Sequence, residues 1–153
     1  MQITLDAIKA EQSRIGDMIA AFEKQASSEF TVAGATIQLK PGERYAGIVL
    51  DDSGAFSHHL ILLPSQANDF SWAAACKWAD EQQGSLPTRR EQSLLFANLK
   101  SEFDERAYWS GEKHAENAGW AWSQDFYYGL QDFYGQDNEL RARAVRRFIP
   151  SVI

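Results

Sequence analysis

The stretch SWAAACKWADEQQGSLPTRREQSLLFANL, Ser71–Leu99, decides the fold, because it places two helix signatures in succession with strand-like sequence on either side. Ser71 has the position of an N-cap for WAAACKWADEQQ, and Gly84 stands where a C′ glycine ends a helix. Trp72, Cys76 and Ala79 then share one face. After Leu86-Pro87, Thr88 and Glu91 have the spacing of a capping box, and Leu94, Leu95 and Leu99 line one side of a second helix. Helices that follow one another between blocks of strands indicate an α+β domain rather than a βαβ repeat.

Upstream, alternation predicts strands at Thr36–Leu39 and Tyr45–Leu50 around the turn Pro41-Gly42, and a third at Leu60–Leu63 after DDSGAFSHH. Downstream, YWS at 108–110 precedes a polar loop, GEKHAENAG at 111–119, and strands follow at 120–127, 130–134 and 140–148. In the strand from Trp120, alternation puts Trp122, Gln124, Phe126 and Tyr128 on one face and Ser123, Asp125 and Tyr127 on the other. Trp122 and Phe126 are expected in the core, leaving Tyr127, Phe133 and Trp120 for an exposed surface.

The chain has 153 residues, enough to bury a core without a covalent staple, and its 44% hydrophobic and 24% charged content is that of a globular protein. A net charge of −6 opposes a surface built to attract nucleic acid or anionic lipid. The single cysteine, Cys76, excludes an intrachain disulfide and a cysteine-based zinc site, which fits a reducing compartment. The opening MQITLDAIKAEQ has no leader pattern, and no apolar run reaches the roughly 18 residues of a membrane span. A cytoplasmic protein, or one assembled into a larger particle, is expected.

Residues 3–24 read as a helix in which Leu5, Ile8, Gln12, Ile15, Ile19 and Phe22 follow the 3-4-3-4-3 spacing of a coiled-coil seam. The stripe has two uses, docking on the protein's own domain or self-association. Its start near the terminus and the loose link QASSE after it favour a homo-oligomer, with Gln12 setting register. The domain boundaries are therefore residues 1–25 for the helix, 26–44 for a linker and first strands, and 45–153 for the main domain.

The blocks LPTRREQSLLFANL, YWSGE, AWSQDFYYG and a closing strand ending in ARAVR resemble the Lcl C-terminal-domain family of unknown function. The likeness is loose over residues 45–148 and closer over 86–148. It implies a C-type lectin-like fold, and a helix followed by such a domain is similar to proteins of phages and prophages. The Glu-Pro-Asn or Gln-Pro-Asp and Trp-Asn-Asp triplets of calcium-dependent lectins do not occur, so the resemblance implies a calcium-independent domain. It transfers architecture rather than an activity.

Motifs for chemistry are sparse. His58 and His59 are adjacent and expected on opposite faces of a strand, as a surface pair with one ring tucked in. A metal site joining His114 with Asp51, Asp52 or Glu112 is conceivable but not expected, and no other cofactor is implied. No Gly-x-Ser-x-Gly elbow or Cys/His neighbourhood is present, and Ser110 is only half of a motif. Arg89 and Arg90 lie in the first turn after Thr88, where free N–H groups favour a carboxylate or phosphate. In RARAVRR, Arg141 and Arg143 share a face and Arg146 and Arg147 straddle the strand end, forming either a basic ridge or pairs with carboxylates such as Asp125 or Asp132.

The expected function is a non-enzymatic, phage-related binding module that offers a protein or small ligand the 111–119 loop, Tyr127, Phe133 and Trp120, with Arg89, Arg90, Arg141 and Arg143 as anion-binding candidates. Alternatives are a structural or assembly protein of a phage particle, and an intracellular phage factor that sequesters a nucleotide or blocks a host defence protein.

Overall fold

The computed structural model describes residues 2–28 and 36–151, and the chain divides into two compact units between Thr36 and Ile37. In the first unit, α1 runs Leu5–Ser28, with the Thr4 hydroxyl accepting a hydrogen bond from the Ala7 amide at its start. Leu5, Ile8, Ile15, Ile19 and Phe22 are all at least half exposed, and Gln12 is exposed beside them. The loose link expected at QASSE is helical as far as Ser28, because α1 continues through it, and residues 29–35 lie outside the described residues.

The second unit is α+β. Six strands, β1 (Arg44–Leu50), β2 (Phe56–Phe70), β3 (Ala107–Lys113), β4 (Trp120–Asp125), β5 (Gln131–Gly135) and β6 (Leu140–Phe148), form one mixed sheet in the order β1-β2-β6-β3-β4-β5. The β3–β6 pairing, at Tyr108 and Arg141, is parallel and the rest are antiparallel. The expected strand at Thr36–Leu39 is absent: residues 36–40 are irregular, and the Lys40 amide is bound by the Glu43 carboxylate instead of a neighbouring strand. Strand β2 is much longer than Leu60–Leu63, because register shifts after Leu62 and Ala67 let it pass Pro64 without losing its β6 partner.

Helices α2 (Trp72–Glu81) and α3 (Arg89–Leu99) cover opposite faces of this sheet. Adjacent strand residues point to opposite faces, so Tyr108 packs with Leu60, Leu62, Leu95, Phe103, Phe126 and Val145 on the α3 side. Its neighbour Trp109 packs with Leu63, Ala75, Ala79, Ala121 and Ala144 on the α2 side. Phe103 and Phe126 stack 3.9 Å apart, and Tyr108 meets both edge-on.

Both N-caps form as the sequence requires. Ser71 accepts from the Ala74 amide, and Thr88 and Glu91 make a reciprocal capping box. The end of α2 differs from expectation. Gln83, at φ 62°, takes the left-handed position, and the Gly84 amide reaches back to the Ala79 carbonyl, which makes Gly84 the second residue of a Schellman turn. Glycine is needed there for space, since a Cβ would lie 2.6 Å from the Val145 carbonyl oxygen and 2.7 Å from Leu63.

Candidate functional site

The N-terminal end of α3 is where the sheet's cover stops, and two surface features meet there. Trp122 and Phe126 do lie on one face of β4, as alternation requires. Phe126 is buried beneath α3, against Phe96, whereas Trp122 lies near the helix's first residue and is only half-buried, a correction to its expected place in the core. In place of a helix, the Arg89 guanidinium covers it, 3.6 Å from the ring centroid. Gln131 fixes Arg89 from below, accepting from its Nε at 3.0 Å and donating to its carbonyl at 2.7 Å.

Around Trp122 an aromatic ledge forms. Cross-strand pairing sets Phe133 opposite Trp122, with ring centroids 5.2 Å apart and nearly perpendicular. Trp120 lies 5.1 Å from Phe133 and is 38% exposed; His114 lies 4.6 Å from Phe133 and 5.5 Å from Trp122. Tyr127 belongs elsewhere. It is exposed, packs edge-on against Tyr128 in the turn after β4, and its amide is held by Asp125. Tyr128, assigned by alternation to the core face, is 72% exposed because the strand ends at Asp125 and the turn breaks the period. Only the outer part of the expected 111–119 loop is a loop, since Gly111, Glu112 and Lys113 belong to β3.

The second feature is a cleft of about 470 Å³ lined by the end of β1 and its turn (Val49–Asp52), Ser57 and His58 of β2, Thr88, Arg89 and Arg90 of α3, and Glu112. It is not a vacant anion seat. The Arg89 amide donates to Glu112, the Thr88 amide to Glu91, and Arg90 is held by the Leu50 carbonyl and Asp52. Amides expected to be free at this helix end are taken by the protein's own carboxylates.

Beneath the cleft, Glu91 is fully buried and accepts four hydrogen bonds: two from Arg147 at 2.7 Å, one from the Thr88 amide at 2.8 Å and one from His58 Nε2 at 2.6 Å. Burial acts to raise its carboxyl, but the Arg147 hydrogen bonds and the other donors outweigh this and hold it below the ordinary glutamate range. His58 Nδ1 contacts the Ser57 hydroxyl at 2.9 Å. His59 points away and is buried, with Nδ1 at 2.8 Å from the Tyr45 hydroxyl. The two rings do point apart, with His59 tucked in as expected and His58 lining the cleft rather than lying free on the surface.

The arginines of β6 make no basic ridge. Arg147 binds Glu91, Arg146 binds Glu43, and Arg141 pairs with Asp104. Arg143 is buried and donates to the carbonyls of Glu102 and Leu63. Asp125 and Asp132, the partners suggested by sequence, are engaged by backbone amides of their own turn and strand. Ser110 is buried and accepts from the Glu112 amide, and burial pushes the half-buried Cys76 thiol up, away from the thiolate. Among the described residues no group of His, Cys, Asp and Glu is placed to hold a metal ion, and no helix is long and apolar enough to cross a membrane.

No family model matches the chain, and no curated protein matches it.

Proposed function

We propose that this protein is a calcium-independent, phage-related binding module with a C-type lectin-like domain, whose ligand face is the ledge of Trp120, Trp122, Phe133 and His114. One observation carries the reading: several large aromatic rings gather on an incompletely covered face, braced by Arg89 and Gln131, rather than entering either core cluster. Rings held rigidly beside solvent suit a ligand with a flat, weakly polar face, such as a saccharide ring or an apolar side chain of a partner protein. The resemblance to lectin-like domains puts the saccharide first.

The test is a screen of the full chain against an immobilised saccharide array, repeated with Phe133→Ala, Trp120→Ala and Tyr127→Ala. Loss of binding by at least about tenfold is expected for the first two, in keeping with aromatic anchors, with Tyr127→Ala unaffected. No binding to the array, or equal binding by all variants, sinks the proposal.

The exposed stripe of α1 supports a second component, presentation of this domain as a homo-oligomer. It equally favours the reading in which the protein is an assembly component of a particle. The seam has leucine at one a position and isoleucine at two d positions, a combination that leans toward three or four strands rather than two.

A further inference from the structure

The contact between Ser57, His58 and Glu91 is an oriented relay. Glu91's two oxygens take four donors, which fills the four acceptor positions of a carboxylate and leaves no room for a proton on it. His58 Nε2 must then carry the hydrogen that it shares with Glu91. In the neutral ring Nδ1 is consequently the lone pair, and the Ser57 hydroxyl, 2.9 Å away, donates to it. Arg147 balances the charge of Glu91. A serine donating to a histidine whose far nitrogen is fixed by a buried carboxylate has the roles of nucleophile, base and orienting acid.

Local structure explains how neighbours in sequence come together. The register of β1 against β2 shifts between the Val49–His58 and Leu50–Phe56 pairs, which leaves Ser57 unpaired. An extra residue in a strand breaks the alternation of faces, and here the Ser57 and His58 side chains meet. Both line the 470 Å³ cleft.

We propose that this cleft is an esterase site acting on small carboxylic esters, with Ser57 as nucleophile, His58 as general base and acid, and Glu91 as a positioning residue. Ser57 Oγ forms a bond to the ester carbonyl carbon while its proton passes to His58 Nδ1 and the carbonyl π pair moves to oxygen. Collapse of this adduct breaks the carbon–alkoxy bond, and His58 returns the proton to the departing alcohol. Water then attacks the acyl-serine, gives its proton to His58 and releases the carboxylic acid as Ser57 recovers its hydroxyl. The balance is ester plus water to acid plus alcohol, with no other reactant.

The experiment uses the full chain, p-nitrophenyl acetate as substrate and a fluorophosphonate as covalent probe. Wild-type protein is expected to gain one phosphonyl group, found by peptide mass spectrometry on Ser57, and to hydrolyse the ester at least about tenfold faster than Ser57→Ala or His58→Gln. Ser57→Ala removes only a hydroxyl from a half-buried side chain, and its unchanged circular dichroism guards against loss of fold. Glu91→Gln is expected to lower kcat while leaving KM, a split that mere loosening of the cleft does not produce. A probe that never labels Ser57, or hydrolysis that persists unchanged in Ser57→Ala, overturns the assignment. Because Trp120→Ala and Phe133→Ala touch none of these groups, their failure in the saccharide screen and a failure of the esterase assay are separate results.

Discussion

Replacing Arg147 by Met is a severe test of how this domain is held together, because Arg147 supplies two of the four hydrogen bonds to a carboxylate that is completely buried. Removing one partner of a buried ion pair costs about 3–5 kcal/mol, and since the Arg147 side chain is 32% exposed the lower end applies, about 3 kcal/mol. At roughly 4 °C per kcal/mol this lowers Tm by about 12 °C. The reverse change, Glu91→Gln, leaves behind a cation that reaches water and keeps a side chain able to cap α3, so it costs less, about 1–2 kcal/mol. The double variant pairs a neutral amide with a neutral thioether and strands no charge. Its cost is expected near that of Glu91→Gln alone, giving a coupling of about 3 kcal/mol between the positions. Urea denaturation of the wild type, both single variants and the double variant measures the cycle. Additive costs, or an Arg147→Met variant no less stable than Glu91→Gln, would refute the view that the buried carboxylate depends on Arg147.

Other outcomes follow from particular positions. Gly84→Ala forces a Cβ against the Val145 carbonyl and Leu63 and is expected to cost about 1–3 kcal/mol in thermal denaturation, whereas Gln83→Gly relieves a left-handed residue and is expected to stabilise by up to about 1 kcal/mol. The carboxyls of Glu43, held down chiefly by its hydrogen bonds from Arg146, and of Glu91 are both below their ordinary value of 4.5 when folded. Groups lowered on folding stabilise the protein above that value and lose the contribution as pH falls through the folded one, so urea midpoints should drop on acidification below about pH 4.5, with no matching rise on going from pH 7 to 5. Light scattering should give a larger subunit number for the full chain than for a chain lacking residues 1–28, and monomers in both would end the coiled-coil reading.

What the sequence disclosed was local. The caps at Ser71 and Thr88, the bounds of β6 and the face assignment of Phe126 follow from spacings of a few residues, and the structure keeps them. What it hid was distance. Trp122 shares a face with Phe126, but burial depends on how far α3 extends over the sheet, and no periodicity within β4 carries that information. Glu91 was legible as a cap from its separation from Thr88, yet its partners His58 and Arg147 are 33 and 56 residues away. Ser57 and His58 share a side only because of a bulge against β1, which alternation cannot anticipate. The arginines of β6 found Glu91, Glu43 and Asp104 for the same reason, since strand order brings those carboxylates to β6 and leaves Asp125 and Asp132 in their own hairpin.

The ligand face itself is tested most directly by the indole N–H signals of the five tryptophans in a ¹H–¹⁵N spectrum, recorded while a saccharide recovered from the array is titrated in. The indole groups of Trp72 and Trp109 are tied to the Ser110 and Phe70 carbonyls, each at 2.8 Å, and serve as internal controls. A saccharide seated on the ledge shifts Trp120 and Trp122 progressively while Trp72 and Trp109 stay still. Unmoved signals from Trp120 and Trp122 at saturating saccharide, with changes confined to other residues, would contradict it.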